Sequence, residues 1–415
     1  MQPTERSYAL DAVRAFALLW GIFFHAAMSF IDVEMEDLDW TSADSSQSTV
    51  LFWFVVVSHW FRMPLFFFIA GYFAHLMYHR KGAAEFARNR TIRIAVPFVV
   101  GWCVVAPLLK FVRYWGQSRS GTAATMVLWP SPDAWAAGQV KLTHLWFLYY
   151  LCLVYIVFVG TRHFLIDALD RSGSLRGRID AELESLLERG WAPIVLSLPI
   201  SIVAMFVSGW NPAEDGMPTP DRSLIPQVVP LVGYGIVFTA GWIFQRAAGL
   251  LQILVARIKA SMWLALIAFV FAGAFDILIR ERPTFLPVPM RFVTAIAATA
   301  LMWYFNFGLI GYALKRFASP SRTVRYVADA SYWLYIAHLP VVCALQVWVA
   351  QWPLHWTLKY SFIVAGAFAV LFPSYHYLVR FTFIGAVLNG RRSPDEAAVA
   401  SRALSASTGN QRGAS

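Results

Sequence analysis

Charge is what this sequence has least of. Charged residues fill 14% of its 415 positions and hydrophobic residues 58%, whereas an ordinary soluble domain carries about 25% charged residues. A water-exposed surface around the whole chain is therefore excluded. Cysteine is scarce as well: Cys103, Cys152 and Cys343 all lie inside apolar runs. Neither a disulfide framework nor a metal-ligand spacing is expected from them, and no bound metal is expected. No Gly-rich phosphate loop, internal repeat or second globular domain breaks the pattern. The first apolar run lacks a positively charged flank and a small-residue cleavage site, so no cleavable signal peptide is expected.

Long apolar stretches fill the space that charge leaves. A window of about 20 apolar residues marks ten spans, near 8–30, 50–78, 94–115, 144–160, 191–209, 227–244, 260–279, 292–313, 326–349 and 358–379. The expected fold class is all-α, a polytopic membrane protein of about ten transmembrane helices. Residues 1–390 read as the transmembrane domain and 391–415, small and polar, as a disordered cytoplasmic tail. The second span contains Pro64 and is expected to bend or tilt. Residues 31–49, acidic and Ser-rich, read as an exposed outer loop.

Orientation follows from the basic residues. With the N-terminus in the cytoplasm, the inner segments hold 23 Lys and Arg and the outer ones 9. Cytoplasmic loops carry such an excess, so both termini are expected inside. The net charge of +10 is thereby an orientation signal and a means of meeting anionic lipid. It does not call for nucleic acid.

The first apolar run carries Asp11, Arg14 and His25, and ionisable residues within a span are costly and usually functional or paired. At about 100° per residue, Arg14 and His25 differ by a net rotation of about 20°, and Asp11 and His25 by about −40°. All three share one stripe. Asp11 and Arg14 can pair at i,i+3, but His25 lies about 16 Å along the axis from Arg14. An Asp11–His25 dyad is therefore not expected. Other polar residues sit in the spans: His59 and Arg62 just before Pro64, His144 and Trp146 opening the fourth, and Ser331, Tyr332 and His338 in the ninth. Arg88, Arg90 and Arg93 precede Pro97 at the inner mouth of the third. The depths of His338, about 18 Å, and His25, about 25 Å, let both face one cavity in the outer half. Each residue taken singly has a plainer reading. A lone histidine packs, basic residues orient, and aromatic residues form the interfacial belt.

Order and spacing together resemble the acyltransferase-3 family of integral membrane acyltransferases over residues 6–390. The resemblance rests on Leu10-Asp11 followed by Arg14, ten residues and His25. It also rests on Arg62-Met-Pro-Leu-Phe-Phe-Phe-Ile-Ala-Gly71, on Arg90-Thr-Ile-Arg93 before Pro97, and on Ser331-Tyr332 before His338. His144-Leu-Trp146-Phe-Leu and the ending Tyr377 to Gly390 are more similar to the branch that acts on periplasmic glucans. The resemblance implies an O-acyltransferase in the bacterial inner membrane, with cytoplasmic acyl-CoA (succinyl-CoA or acetyl-CoA) as donor. The implied acceptor is a hydroxyl of a periplasmic or extracellular carbohydrate. His25 and His338 would be catalytic. Asp11, Arg14, Arg90, Arg93, Ser331 and Tyr332 would serve the donor, and His59, Arg62, His144 and Trp146 the acceptor or acyl group. A pantetheine arm of about 15–20 Å, at a rise like that of extended backbone, matches the Arg14–His25 separation. Direct transfer with His25 as base and an acyl-histidine route both remain open. The competing class is a transporter or flippase, in which buried Arg and His mark a substrate or proton path. Against it, no matching pair of broken spans occurs in the two halves.

Overall fold

The computed structural model describes residues 8–31, 40–121, 125–162, 166–206, 216–247, 249–281, 288–319 and 321–390. No strand occurs among them. The main helices are α1 (Tyr8–Ala27), α2 (Thr49–Arg90), α3 (Val96–Arg119), α4 (Trp146–Thr161), α5 (Ser174–Arg189), α6 (Ala192–Met205) and α7 (Val228–Arg246). They continue with α8 (Gly249–Ala256), α9 (Ile258–Glu281), α10 (Val288–Arg316), α11 (Arg322–Val349), α12 (Trp356–Ser374) and α13 (Phe383–Asn389). Single π-helical turns join α2 to α3 at Thr91–Ala95 and follow α12 at Tyr375–Val379.

Among the described residues, seven helical stretches are long and apolar enough to cross a membrane, or up to nine if each of two bent pairs is one span. This is fewer than the ten expected, for identifiable reasons. The second and third expected spans lie in one helical run, Thr49–Arg119, of 71 residues. A span needs only about 20, and Gly82 interrupts the run with φ 81 and ψ 167. The fifth span is carried by α6, whose 14 residues reach only about 21 Å. It qualifies only together with α5, from which it turns by 113°. The seventh likewise combines α8 and α9, bent by 70°.

The chain divides into two compact units. The first comprises Met1–Phe52, Thr91–Ser131 and Arg316–Ser415. Within it α11 packs on α1, α3 and α12, and its most extensive partner is α1. The sequence explains that pairing. Ala9, Ala12, Ala17 and Gly21 of α1 and Ala328, Ala330 and Ser331 of α11 are all buried. Small side chains let membrane helices approach closely, where apolar burial alone gives no preference over lipid. Ser321 caps the start of α11 by accepting from the Val324 amide at 3.4 Å.

The described residues 40–48 after α1 are tied down rather than loose. Asp44 N–H donates to the Ser29 carbonyl at 2.9 Å and Ser48 N–H to the Phe30 carbonyl at 2.8 Å. Asp44 also accepts from Lys359 of α12 at 2.9 Å, with 2% and 1% side-chain exposure respectively. Of the expected exposed loop 31–49, residues 32–39 lie outside the described residues; in the remainder Ala43, Ser45 and Gln47 are exposed while Asp44 and Ser48 are buried.

The second unit comprises Trp53–Arg90 and Pro132–Lys315. In it α2 crosses α7 at close range. A Cβ added at Gly71 would lie 1.9 Å from the Phe238 carbonyl oxygen, and one at Gly241 would lie 1.9 Å from that of Phe68. Only glycine permits this reciprocal contact.

Candidate active site

The last turn of α1 brings His25 against α11. The imidazoles of His25 and His338 have ring centroids 5.2 Å apart. The shared depth expected from the sequence is therefore met within the first unit. His338 is 1% exposed, and its Nδ1 lies 2.7 Å from the Tyr335 carbonyl one turn back. A carbonyl only accepts, so Nδ1 carries the proton in that bond. In the neutral ring Nε2 is then the basic nitrogen, which is how a backbone bond selects a tautomer.

His25 has a second aromatic neighbour. The Trp40 ring stacks on its imidazole with centroids 5.6 Å apart and planes 6° apart. The Trp40 Nε1–H donates to Gln346 Oε1 at 3.2 Å. The Gln346 amide nitrogen donates to the His25 carbonyl at 2.8 Å and to the Ala26 carbonyl at 3.2 Å. Those carbonyls lie in the last helical turn, where four have no partner inside the helix.

Lower on the same stripe, Arg14 pairs with Asp11 at 3.1 Å, the arginine 36% exposed and the aspartate 8%. The expected i,i+3 pair is present, and its guanidinium keeps an open side. Tyr332 reaches the π-turn between α2 and α3, its hydroxyl donating to the Arg93 carbonyl at 2.6 Å. The Arg93 guanidinium lies against Gly390, where a Cβ would meet its terminal nitrogen at 2.6 Å. Ser331 is fully buried and donates to the Ala328 carbonyl in its own helix at 2.9 Å.

The other expected site residues belong to the second unit. His59 Nε2 lies 3.2 Å from the Met217 carbonyl and 3.4 Å from Thr219 Oγ1. Arg62 is buried and within electrostatic reach of His59 and Tyr234. Trp146 is buried between Tyr150 and Tyr234, at 6.0 and 5.5 Å between centroids. His144 is buried in a 3-10 turn that begins at Thr143 with φ 55, a conformation that is unusual and strained for a β-branched residue. The Arg90 guanidinium packs over the Phe86 and Tyr155 rings, at 5.2 and 5.5 Å from their centroids.

A family description, the acyltransferase domain of the acyltransferase-3 group, matches residues 7–376. The chain belongs to the acyltransferase-3 family. The enzyme class expected from the sequence is the class of that family. Relatives called "Glucans biosynthesis protein C" occur in Salmonella paratyphi B, Salmonella heidelberg and Salmonella schwarzengrund. Each is 26% identical over 163 residues, which is 38% of this chain. The match spans 39% of the length of each of these relatives. No solved structure matches the chain.

Sequence reasoning missed Trp40, Tyr335, Gln346 and the Asp44–Lys359 pair. Gln346 and Lys359 did leave a signal, each a lone polar residue in or at the edge of an apolar run. Trp40 left none, because its place is set by loop closure.

Proposed function

We propose that the protein is an integral membrane O-acyltransferase that moves succinyl or acetyl from cytoplasmic acyl-CoA to a carbohydrate hydroxyl across the membrane. The observation that carries this reading is the imidazole pair at 5.2 Å, one member of which, His25, shares α1 with Arg14, 36% exposed. A neutral imidazole takes up the hydroxyl proton as oxygen attacks the thioester carbonyl. The C–O ester bond forms, the C–S bond breaks, and the proton passes to the departing CoA sulfur. His25 takes the hydroxyl proton in this scheme, and the Nε2 of His338 accepts from the charged ring directly or through one water.

Within the first unit, Arg14, oriented by Asp11, and Arg93 bind the CoA phosphates through guanidinium forks; Arg90, in the second unit, is a separate donor-binding candidate, its guanidinium over Phe86 and Tyr155. Tyr332 acts on the donor through the Arg93 backbone it holds, and Ser331 by fixing the helix beneath. His59, Arg62, His144 and Trp146 serve the acceptor or acyl group. The name of the Salmonella relatives supports a glucan as acceptor. Ten spans with both termini in the cytoplasm of a bacterial inner membrane complete the reading, since Thr49–Arg119 holds room for two.

Mass spectrometry of extracellular and periplasmic carbohydrate, from cells with and without the gene, tests it. An acyl group absent from the deletion strain is expected, as is thiol release from succinyl-CoA or acetyl-CoA by the purified protein. Unchanged acylation together with no thiol release from either donor would overturn the reading.

A further inference from the structure

We propose that Trp40 and Gln346 form a holder that fixes the ring plane of His25, and that both are positioning residues for its reaction. The inference rests on His25 as the reacting imidazole.

A histidine near the end of a helix has a free second torsion unless something sets it. Here the outer segment lays the Trp40 indole parallel to the imidazole, within 6°. Gln346 joins that indole to the backbone of the same histidine. Its three bonds leave its amide one orientation only. The indole N–H can only donate, so the group at 3.2 Å from it is the amide oxygen. The two carbonyls can only accept, so the group at 2.8 and 3.2 Å from them is the amide nitrogen. The partners thus decide the amide's sense. Gln346 is 1% exposed, and a buried amide with its bonds met is rigid because leaving one unmet is costly.

A plain helix cap accounts for the bonds to His25 and Ala26 but leaves the indole unexplained. A plain packing tryptophan accounts for the stack but not for its N–H reaching the residue that caps the same histidine. The closed path from ring to indole to amide to backbone accounts for both. The segment bearing Trp40 is itself anchored through Asp44 and Ser48, and through Ser46 Oγ, which accepts from the Trp356 amide at 2.9 Å. The holder is therefore built on fixed elements, as a general base requires, because a misplacement of about 1 Å can cost about 100-fold in rate.

The test uses the full-length protein in nanodiscs and the variants Trp40→Leu, Trp40→Phe, Gln346→Leu and the double leucine variant. Two readouts are taken. The first is steady-state thiol release from succinyl-CoA and acetyl-CoA. Trp40→Leu and Gln346→Leu should each lose about 10- to 100-fold in kcat with KM for the donor unchanged, and the double variant should lose no more than the worse single one. Trp40→Phe keeps the stack and should recover much of the loss. The second readout is carbethoxylation of His25 by diethyl pyrocarbonate, followed by peptide mass spectrometry. Removing the indole lid, or releasing it from its Gln346 bond, should raise its rate several-fold in all three leucine variants. Additive losses, or loss in KM rather than kcat, would overturn the holder, as would a carbethoxylation rate equal to wild type. Carbethoxylation also decides the question without acyl transfer: if wild-type protein releases no thiol yet the leucine variants expose His25, the acyl-CoA reading fails and the holder stands.

Discussion

Arg14 and His25 share one face of α1 but stand about 16 Å apart along it, so their roles separate experimentally. His25→Ala should lower kcat by about 100- to 10,000-fold, the range for a general base, with donor binding nearly intact. Arg14→Ala should instead raise KM for the acyl-CoA about 10- to 100-fold, the loss of one charged hydrogen bond. Steady-state kinetics with titration of CoA binding distinguishes the two, and wild-type turnover in His25→Ala would sink the mechanism. The stripe was legible in the sequence because helical geometry alone fixes it. The tautomer of His338 was not, since it depends on the Tyr335 carbonyl one turn back. Arg62 raises the matter of donor choice. A succinyl carboxylate held away from water needs a cation, and Arg62 is a buried guanidinium able to bind it through two parallel bonds. Pro64 supplies the plainer alternative, since it frees the Trp60 carbonyl one turn back for Arg62 to satisfy. As a carboxylate reader, Arg62→Gln should lose succinyl transfer by about 1.5–3 kcal/mol while keeping acetyl transfer. Equal loss with both donors in well-folded protein would assign Arg62 to the backbone instead.

At the scale of elements, two contacts carry weight that no periodicity reveals. The crossing of α2 and α7 depends on Gly71 and Gly241, each within 1.9 Å of the facing carbonyl once a Cβ is added. Gly71→Ala must push the helices apart and should cost about 1–3 kcal/mol or more. Gly235→Ala on α7, with nothing within 4 Å, is the control. A thermal melt in detergent should fall for the first and hold for the second; equal melts would mean that the crossing relaxes freely. Gly71 was legible as part of a family block, but its partner was not, because a close crossing is a property of two helices at once. The second contact is Lys359 with Asp44, almost wholly buried. Lys359→Met leaves a buried carboxylate unneutralised and should destabilise by about 3–5 kcal/mol. Adding Asp44→Leu should restore much of that, because a pair removed together leaves no charge behind. If the double variant melted as low as the single, the pair would not be the tie that holds the outer segment.

For the whole molecule, the spans with uniform apolar runs were legible and the broken ones were not. Hydropathy sums over a window and cannot register a bend, so α6 and α9 each read as a span by itself, without the helix that each joins at a bend. The 71-residue run Thr49–Arg119 is the opposite case: hydropathy marks two spans in it, 50–78 and 94–115, and Gly82, at φ 81 and ψ 167, breaks the helix in the polar stretch between them. Orientation depends on neither feature. It depends on 23 basic residues against 9, and moving such residues across a membrane is what the translocation machinery resists. A fusion reporter placed after Ser415 should therefore be active in the cytoplasmic form only. Ser45 offers the opposite face, because it is exposed while its neighbour Asp44 is buried, so a cysteine there can react without breaking the buried pair. In intact cells Ser45→Cys should be blocked by a membrane-impermeant maleimide, whereas a cysteine at exposed Gly177 on α5 should react only after lysis. The two labels must disagree if the chain crosses the bilayer an odd number of times between residues 45 and 177, as the three expected spans 50–78, 94–115 and 144–160 require. Labelling of Ser45→Cys only after lysis would invert the molecule. It would put Arg14 on the outer side, where no acyl-CoA is present, and remove the physical basis for donor binding there.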